Sequence, residues 1–147
     1  MFRTCAVVLM LFSVYAGELR PQSQTASTKP ELDVRKIALK SKSVVEGILG
    51  QPLKSLGGGQ YDYPWGFVVY RNGRLTDVDY TFRQRPRSVA EALARVGLQK
   101  TSEPVEGPFS YYWNSSTGPL VCCGFEFDNV VILKDLSDIA IGVRSRR

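Results

Sequence analysis

The chain contains no histidine, and that absence excludes more than any other feature of its composition. Ser–His and Cys–His nucleophile pairs and histidine-bearing metal sites are ruled out. An enzyme would have to work with carboxylates, tyrosines or a thiol. Cysteine is almost as scarce, with three residues, Cys5, Cys122 and Cys123. Cys5 sits in an N-terminal apolar run, so the remaining two are neighbours and cannot staple a long loop within one chain. Adjacent side chains on a strand point to opposite faces, so an inward Cys123 and an outward Cys122 are expected. A vicinal disulfide, against ordinary disulfide geometry, or an intermolecular bridge is the alternative. Two adjacent thiols also fall short of a four-ligand metal site, and no cofactor is expected.

A run of apolar residues long enough to cross a bilayer is missing too. Cys5 to Tyr15 has only the length of a signal h-region. With Arg3 before it, and Val14 and Ala16 in a small-residue pattern at its end, residues 1–16 read as a secretory signal cut after Ala16. A retained N-terminal anchor is the other reading. The expected location is secreted or periplasmic, with no stable membrane insertion after cleavage. Nor is charge of one sign concentrated: 19 basic and 14 acidic residues leave +5. The densest basic group is Arg83, Arg85 and Arg87, either an anion-binding strip or a solvated linker. No nucleic-acid partner is expected, since that would call for a stronger basic face.

What is present is a repeat. Offset by 45 residues, Ser43, Glu46, Leu53, Gly73, Leu75 and Phe82 fall on Ser88, Glu91, Leu98, Gly118, Leu120 and Phe127. Periods of this length accompany repeated supersecondary units. Ser43-Val-Val-Glu46 and Ser88-Val-Ala-Glu91 are capping boxes. Val44, Val45, Ile48 and Leu49 form the apolar stripe of the first helix, which Gly50 and Pro52 end. Val89, Ala92, Leu93 and Val96 do the same for the second, which Gly97 stops. Leu56 and the glycines 57–59 read as a mobile loop. A phosphate loop is excluded there, because no Lys-Ser/Thr follows.

Asn72-Gly73 between alternating runs predicts a two-residue type I′ hairpin. Its regular register pairs Arg71 with Arg74, Tyr70 with Leu75, Val69 with Thr76, Phe67 with Val78 and Trp65 with Tyr80. One face then carries Trp65, Phe67, Val69, Val78 and Tyr80 and should be buried. The other carries Val68, Tyr70, Leu75, Asp77 and Asp79 and should be open. Asp77 and Asp79 stand on that face either as a paired-carboxylate site or as two solvated acids. In the second unit, Val121, Cys123, Phe125 and Phe127 are expected inward by the offset. Strands at 130–133 and 139–143 follow, joined near residues 135–138. Asn114-Ser-Ser116 fits an N-glycan acceptor in a eukaryotic secretory pathway.

The expected fold is therefore α+β: two tandem helix-plus-β-hairpin units, residues 43–82 and 88–127, forming one antiparallel sheet with short helices on one face. They lie in a single domain, 39–143, after a flexible linker at 17–38 and before a basic tail at 144–147. Leu32, Val34, Ile37 and Leu39 are candidates to cover one edge of the core.

Ser43 to Pro52 (SVVEGILGQP), followed by an aromatic-rich hairpin ending YRNGRLTDVDYTF, resembles a group of small exported bacterial α+β domains. They include the small lipoprotein of the outer-membrane β-barrel assembly machinery and the tandem-repeat β-lactamase inhibitor protein. The resemblance covers residues 39–127 and implies a short helix followed by an antiparallel sheet. This chain has neither the lipid-attachment cysteine nor the inhibitor's cysteine pairs, so no functional residue is carried over. The expected function is a non-enzymatic exported module that binds a protein or cell-envelope component through one sheet face. Its candidate binding residues are Tyr70, Asp77, Asp79, Arg83, Arg85 and Cys122. The alternative is a small-ligand or enzymatic site around Cys122 and Asp77.

Overall fold

The computed structural model describes residues 29–146. The signal, the first part of the expected linker and the last residue of the basic tail lie outside the described residues. The described residues are mostly β, one open antiparallel sheet of nine strands with three short helices. The helices are α1 (Val34–Ile37), α2 (Lys42–Leu49) and α3 (Val89–Arg95). The strands are β1 (Lys54–Gly57), β2 (Gln60–Tyr63), β3 (Gly66–Arg71), β4 (Arg74–Thr81), β5 (Val105–Glu106), β6 (Ser110–Trp113), β7 (Leu120–Cys122), β8 (Phe125–Leu133) and β9 (Asp138–Ser145). The order across the sheet is β1-β2-β3-β4-β9-β8-β6-β5, with β7 added to β8.

One face of this sheet and the helices share a single apolar cluster. Val68, Leu75, Val78, Tyr80, Trp113, Phe127, Val130, Ile132, Ile139 and Ile141 point into it from the strands. Leu32, Val34, Ile37, Val45, Ala92, Leu93, Val96 and Leu98 close it from the other side. At roughly 1.5–3 kcal/mol for each large apolar side chain buried, this cluster dominates the stability. Leu32, Val34 and Ile37 cover the core edge as expected, so order begins inside the segment expected as a linker. Asp33 caps α1 by accepting from the Arg35 N–H at 3.2 Å, which turns Val34 and Ile37 inward. Residues 31–38 are thus part of the domain and not of a linker. At the other end Arg144 and Ser145 belong to β9 and not to a tail, and Arg144 pairs with Glu126 at 2.7 Å.

The Asn72-Gly73 turn forms as expected, with φ of 51° and 74°, and Tyr70 pairs with Leu75. Beyond that pair the register departs from the regular hairpin. Val69 faces Asp77, Val68 faces Val78 and Phe67 faces Asp79, so Thr76 is an extra residue, a β-bulge. The bulge changes the parity of β4 relative to β3. Tyr70, Leu75, Val68, Val78 and Tyr80 now share the buried face, and both aspartates stay outside. The expected burial of Phe67 and Val69 is corrected: they lie on the opposite, uncovered face, and Trp65 is half-buried. A regular ladder would have placed Asp77 beside Leu75 and Tyr70, leaving either the acids or these apolar groups on the wrong side.

Other local expectations also change. Helix α2 starts after Ser41, whose backbone is held extended at φ −68°, ψ 160° and bridges Arg74, so Ser43 is inside the helix and not its cap. Only Val45 of the expected stripe is fully buried, while Val44 and Ile48 are 45% and 48% exposed. Leu56 and Gly57 belong to β1 and the glycine run turns tightly into β2, in place of a mobile loop. Ser88 does cap α3, accepting from the Glu91 N–H at 3.1 Å.

The second unit does not repeat the first hairpin. Strand β6 pairs with the far half of β8, and β7 pairs with its near half through a turn at Cys123-Gly124. Phe127 and Leu120 are buried, Phe125 and Val121 are half-buried, and Cys123 is exposed with φ 58°. Cys123 is therefore not an inward thiol; it is bonded to Cys122 in a vicinal disulfide.

Candidate binding face

The face opposite the helices is the candidate site, and two bulges shape it. The first is at Thr76. The second lies in β8, where Asp128 pairs with Gly142 and Val131 with Ala140, leaving Asn129 and Val130 opposite Ile141 alone. Asn129 absorbs the extra residue at φ 50°, a conformation asparagine tolerates better than most residues. Val130 thereby stays in the core while Asn129 swings outward.

Between the bulges the outer face is low. Ala140 and Gly142 contribute almost no side chain from β9. Phe67 and Val69 rise on the β3 side and Asn129 on the β8 side, enclosing a shallow groove of about 310 Å³. Asp77 and Asp79 from β4 line it as well, with Arg71 at one end. Gly142 is required sterically. A Cβ there would stand 2.6 Å from the Asp128 carbonyl oxygen, so the bulge and the low floor go together.

The two aspartates are not equivalent. Asp77 Oδ2 accepts from the Thr76 hydroxyl at 2.8 Å and lies 3.5 Å from Arg71 Nε. Neighbouring acids are similarly served: Asp62 by Lys54 at 3.8 Å, and Asp128 by Arg144 at 3.3 Å. Asp138 accepts from the Thr81 and Ser137 hydroxyls. Asp79 has no such partner among the described residues. Burial against the groove, and behind it the like charge of Asp138, pushes its carboxyl above the usual carboxylate range.

Of the six candidate residues, the structure brings together only Asp77 and Asp79. Tyr70 is on the other side of the sheet, 8% exposed, with its ring 5.6 Å from that of Tyr61 and its hydroxyl unpartnered. Burial raises its pKa strongly. Its place on an open face is corrected by the Thr76 bulge. Arg83 and Arg85 lie on the connection between β4 and α3. Arg85 stands 3.6 Å from Asp135, and neither arginine lines the groove. Cys122 is half-buried in β7, across from Phe125, which in turn pairs with Ser145. Asp77 is across from Gly142, so Cys122 and Asp77 are three residues apart along β9 and form no common site.

Sequence reasoning missed Phe67, Val69, Asn129, Ala140 and Gly142. One signal was present for the first two. Apolar Tyr70 and Leu75 at the turn, and apolar Val78 and Tyr80 further along, share one face only if β4 contains an odd extra residue.

No protein-family model, curated protein or solved structure matches this chain. Among the described residues no helix is long and apolar enough to cross a membrane. No group of three or more His, Cys, Asp or Glu side chains suited to a metal ion occurs among them either.

Proposed function

We propose that the chain is an exported, non-enzymatic module that binds a protein or cell-envelope component through the uncovered face of its sheet. The observation that carries this reading is the groove between the two bulges, where Phe67 and Val69 remain half-exposed beside Asp77 and Asp79. Half-exposed aromatic and aliphatic groups beside partly buried polar ones are the usual makings of a recognition surface. The absence of histidine supports a binding role over a hydrolytic one. The signal-like segment at residues 1–16 supports export. Both halves of the sheet follow a helix, α2 before β1–β4 and α3 before β5–β9, and this supports descent from tandem helix-plus-hairpin units. The alternative site around Cys122 and Asp77 gains no support from their separation or from a bonded Cys122.

The test is site-specific photo-crosslinking in the source cells. A crosslinker at Val131, on the open face, should give a discrete adduct that disappears when Ala140→Trp fills the groove. The same crosslinker at Lys36, an exposed position of α1, should not give that adduct. No adduct from Val131, or one insensitive to Ala140→Trp, overturns the reading. N-terminal sequencing of the exported form should begin at Gly17; a form retaining Met1 in the cytosol removes the export part.

A further inference from the structure

The chemistry of the groove narrows what a partner must present to it. Its walls are an aromatic ring and an aliphatic side chain, Phe67 and Val69, and its floor carries one carboxylate, Asp79, that no cation or hydrogen-bond donor among the described residues serves. Every other acid on this part of the face already has a base or a hydroxyl against it. The groove is thus an acidic, partly desolvated spot on a chain whose net charge is +5, complementary to a cation and not to the rest of the molecule. A bare metal ion fits poorly, since no third ligand stands near the two aspartates. An organic cation fits better. A planar guanidinium is weakly hydrated, stacks on an aromatic face and forks two N–H donors onto a carboxylate.

We propose that the groove holds the guanidinium of an arginine side chain presented by the bound protein, paired with Asp79 and lying against Phe67. This rests on the docking reading above and adds the chemistry of the partner to it. Arg71 already plays a related part within the chain, with its guanidinium against Asp77 at the rim. The incoming arginine takes the inner acid that Arg71 leaves free. The small residues at 140 and 142 give it the depth, and a larger side chain at either position closes it.

The experiment is an NMR titration of the ¹⁵N-labelled protein with N-acetyl-arginine methylamide, and separately with its neutral citrulline analogue and with N-acetyl-lysine methylamide. The arginine probe should shift the amides of Phe67, Asp79 and Gly142 and saturate in the millimolar range, about tenfold tighter than citrulline. Asp79→Asn should erase that preference while leaving the spectrum folded, and Phe67→Leu should weaken the arginine probe several-fold. Equal response to arginine and citrulline, equal response to lysine, or shifts confined to other acids overturns the inference, whether or not adducts form from Val131. Loss of the Val131 adduct with the arginine preference intact overturns instead the docking reading, and with it the origin of the arginine on a partner.

Discussion

Phe67 lies directly across from Asp79 on the uncovered face of the sheet, a pairing that exists only because Thr76 is bulged out of β4. An acid next to an aromatic wall loses hydration without gaining a counter-charge, and that has a cost to the fold. The Asp79 carboxyl titrates above its ordinary value of 3.8, so the folded state holds its proton more tightly than the unfolded state does. Stability is therefore lost as pH rises from the unfolded value through the raised folded one.

Asp79→Asn should thus stabilise the protein while removing its proposed binding preference. We expect a melting temperature about 2–4 °C higher at pH 7, the scale of half a kcal/mol in a domain of this size. Near pH 3 both states are largely protonated at this site and the variant should melt with the parent. Calorimetry at the two pH values checks this; no gain at pH 7 would mean that Asp79 is better solvated than its surroundings imply. Opposite signs for stability and binding at one residue are what a functional site, and not a fold-stabilising one, produces.

Gly142 separates the role of the second bulge from that of charge. A methyl group there meets the Asp128 carbonyl oxygen, which is backbone and cannot swing aside. Gly142→Ala should destabilise by about 1–3 kcal/mol, the range for forcing volume into a packed site. Ala140→Ser, one position along the same floor, should be nearly neutral. Urea unfolding of the pair decides the matter, and a neutral Gly142→Ala would show that β8 can shed its bulge without penalty.

The contrast between the two bulges explains how much was legible beforehand. The Asn72-Gly73 turn, the Ser88 cap and the inward side of β4 beyond the bulge follow from local rules, and all three are in the structure. What local rules do not contain is a change of parity inside a strand. Thr76 and Asn129 each insert one residue, and each insertion flips every assignment on one side of it. A ladder without the Thr76 bulge puts Tyr70 outside and Phe67 inside, the reverse of the observed faces. The β6–β8 pairing is a non-local choice that passes over the intervening β7, and no turn signal specifies it. Of the candidate site, the aspartates were readable because charge excludes them from the core in any register. The groove around them was not, because its walls are apolar residues that only the bulges expel.

Glu91 provides a second pH-dependent element, of opposite sign. Its Oε2 accepts from the Arg87 N–H at 3.0 Å, and its Oε1 accepts from Arg95 at 2.6 Å. The backbone bond from Arg87, and then Arg95, hold the carboxyl down to about 2 from an ordinary 4.5. Arg95 also reaches Glu31 and the Gln84 carbonyl, and Tyr80 donates to the other oxygen of Glu31 at 2.8 Å. This chain of bonds ties the residues before α1 to β4 and α3. A depressed carboxylate stabilises fully above 4.5 and loses that contribution as pH falls toward about 2. Glu91→Gln should therefore melt below the parent at pH 7, and the gap should close as pH falls to about 2. A gap that is constant with pH would assign the effect to shape and not to charge.

The Cys122–Cys123 bond should matter little to stability, although it sits at the tip of the β7–β8 hairpin. A disulfide stabilises chiefly by closing a loop in the unfolded chain, and the gain grows with loop length. Joining sequence neighbours closes the shortest loop available, which is worth about 1 kcal/mol by the same relation. The hairpin has other anchors: Leu120 is buried opposite the buried Phe127, and Gly124 takes the turn at φ 84°. Reduction with dithiothreitol should therefore expose two further thiols per chain while the unfolding free energy falls by about 1 kcal/mol or less. The double variant Cys122→Ser, Cys123→Ser should behave as the reduced protein does. A loss of several kcal/mol, or a loss of cooperativity, would mean that the bond and not the packing of Leu120 holds β7 against β8. The arginine titration repeated on the double variant should be unchanged, because Cys122 and Cys123 do not line the groove.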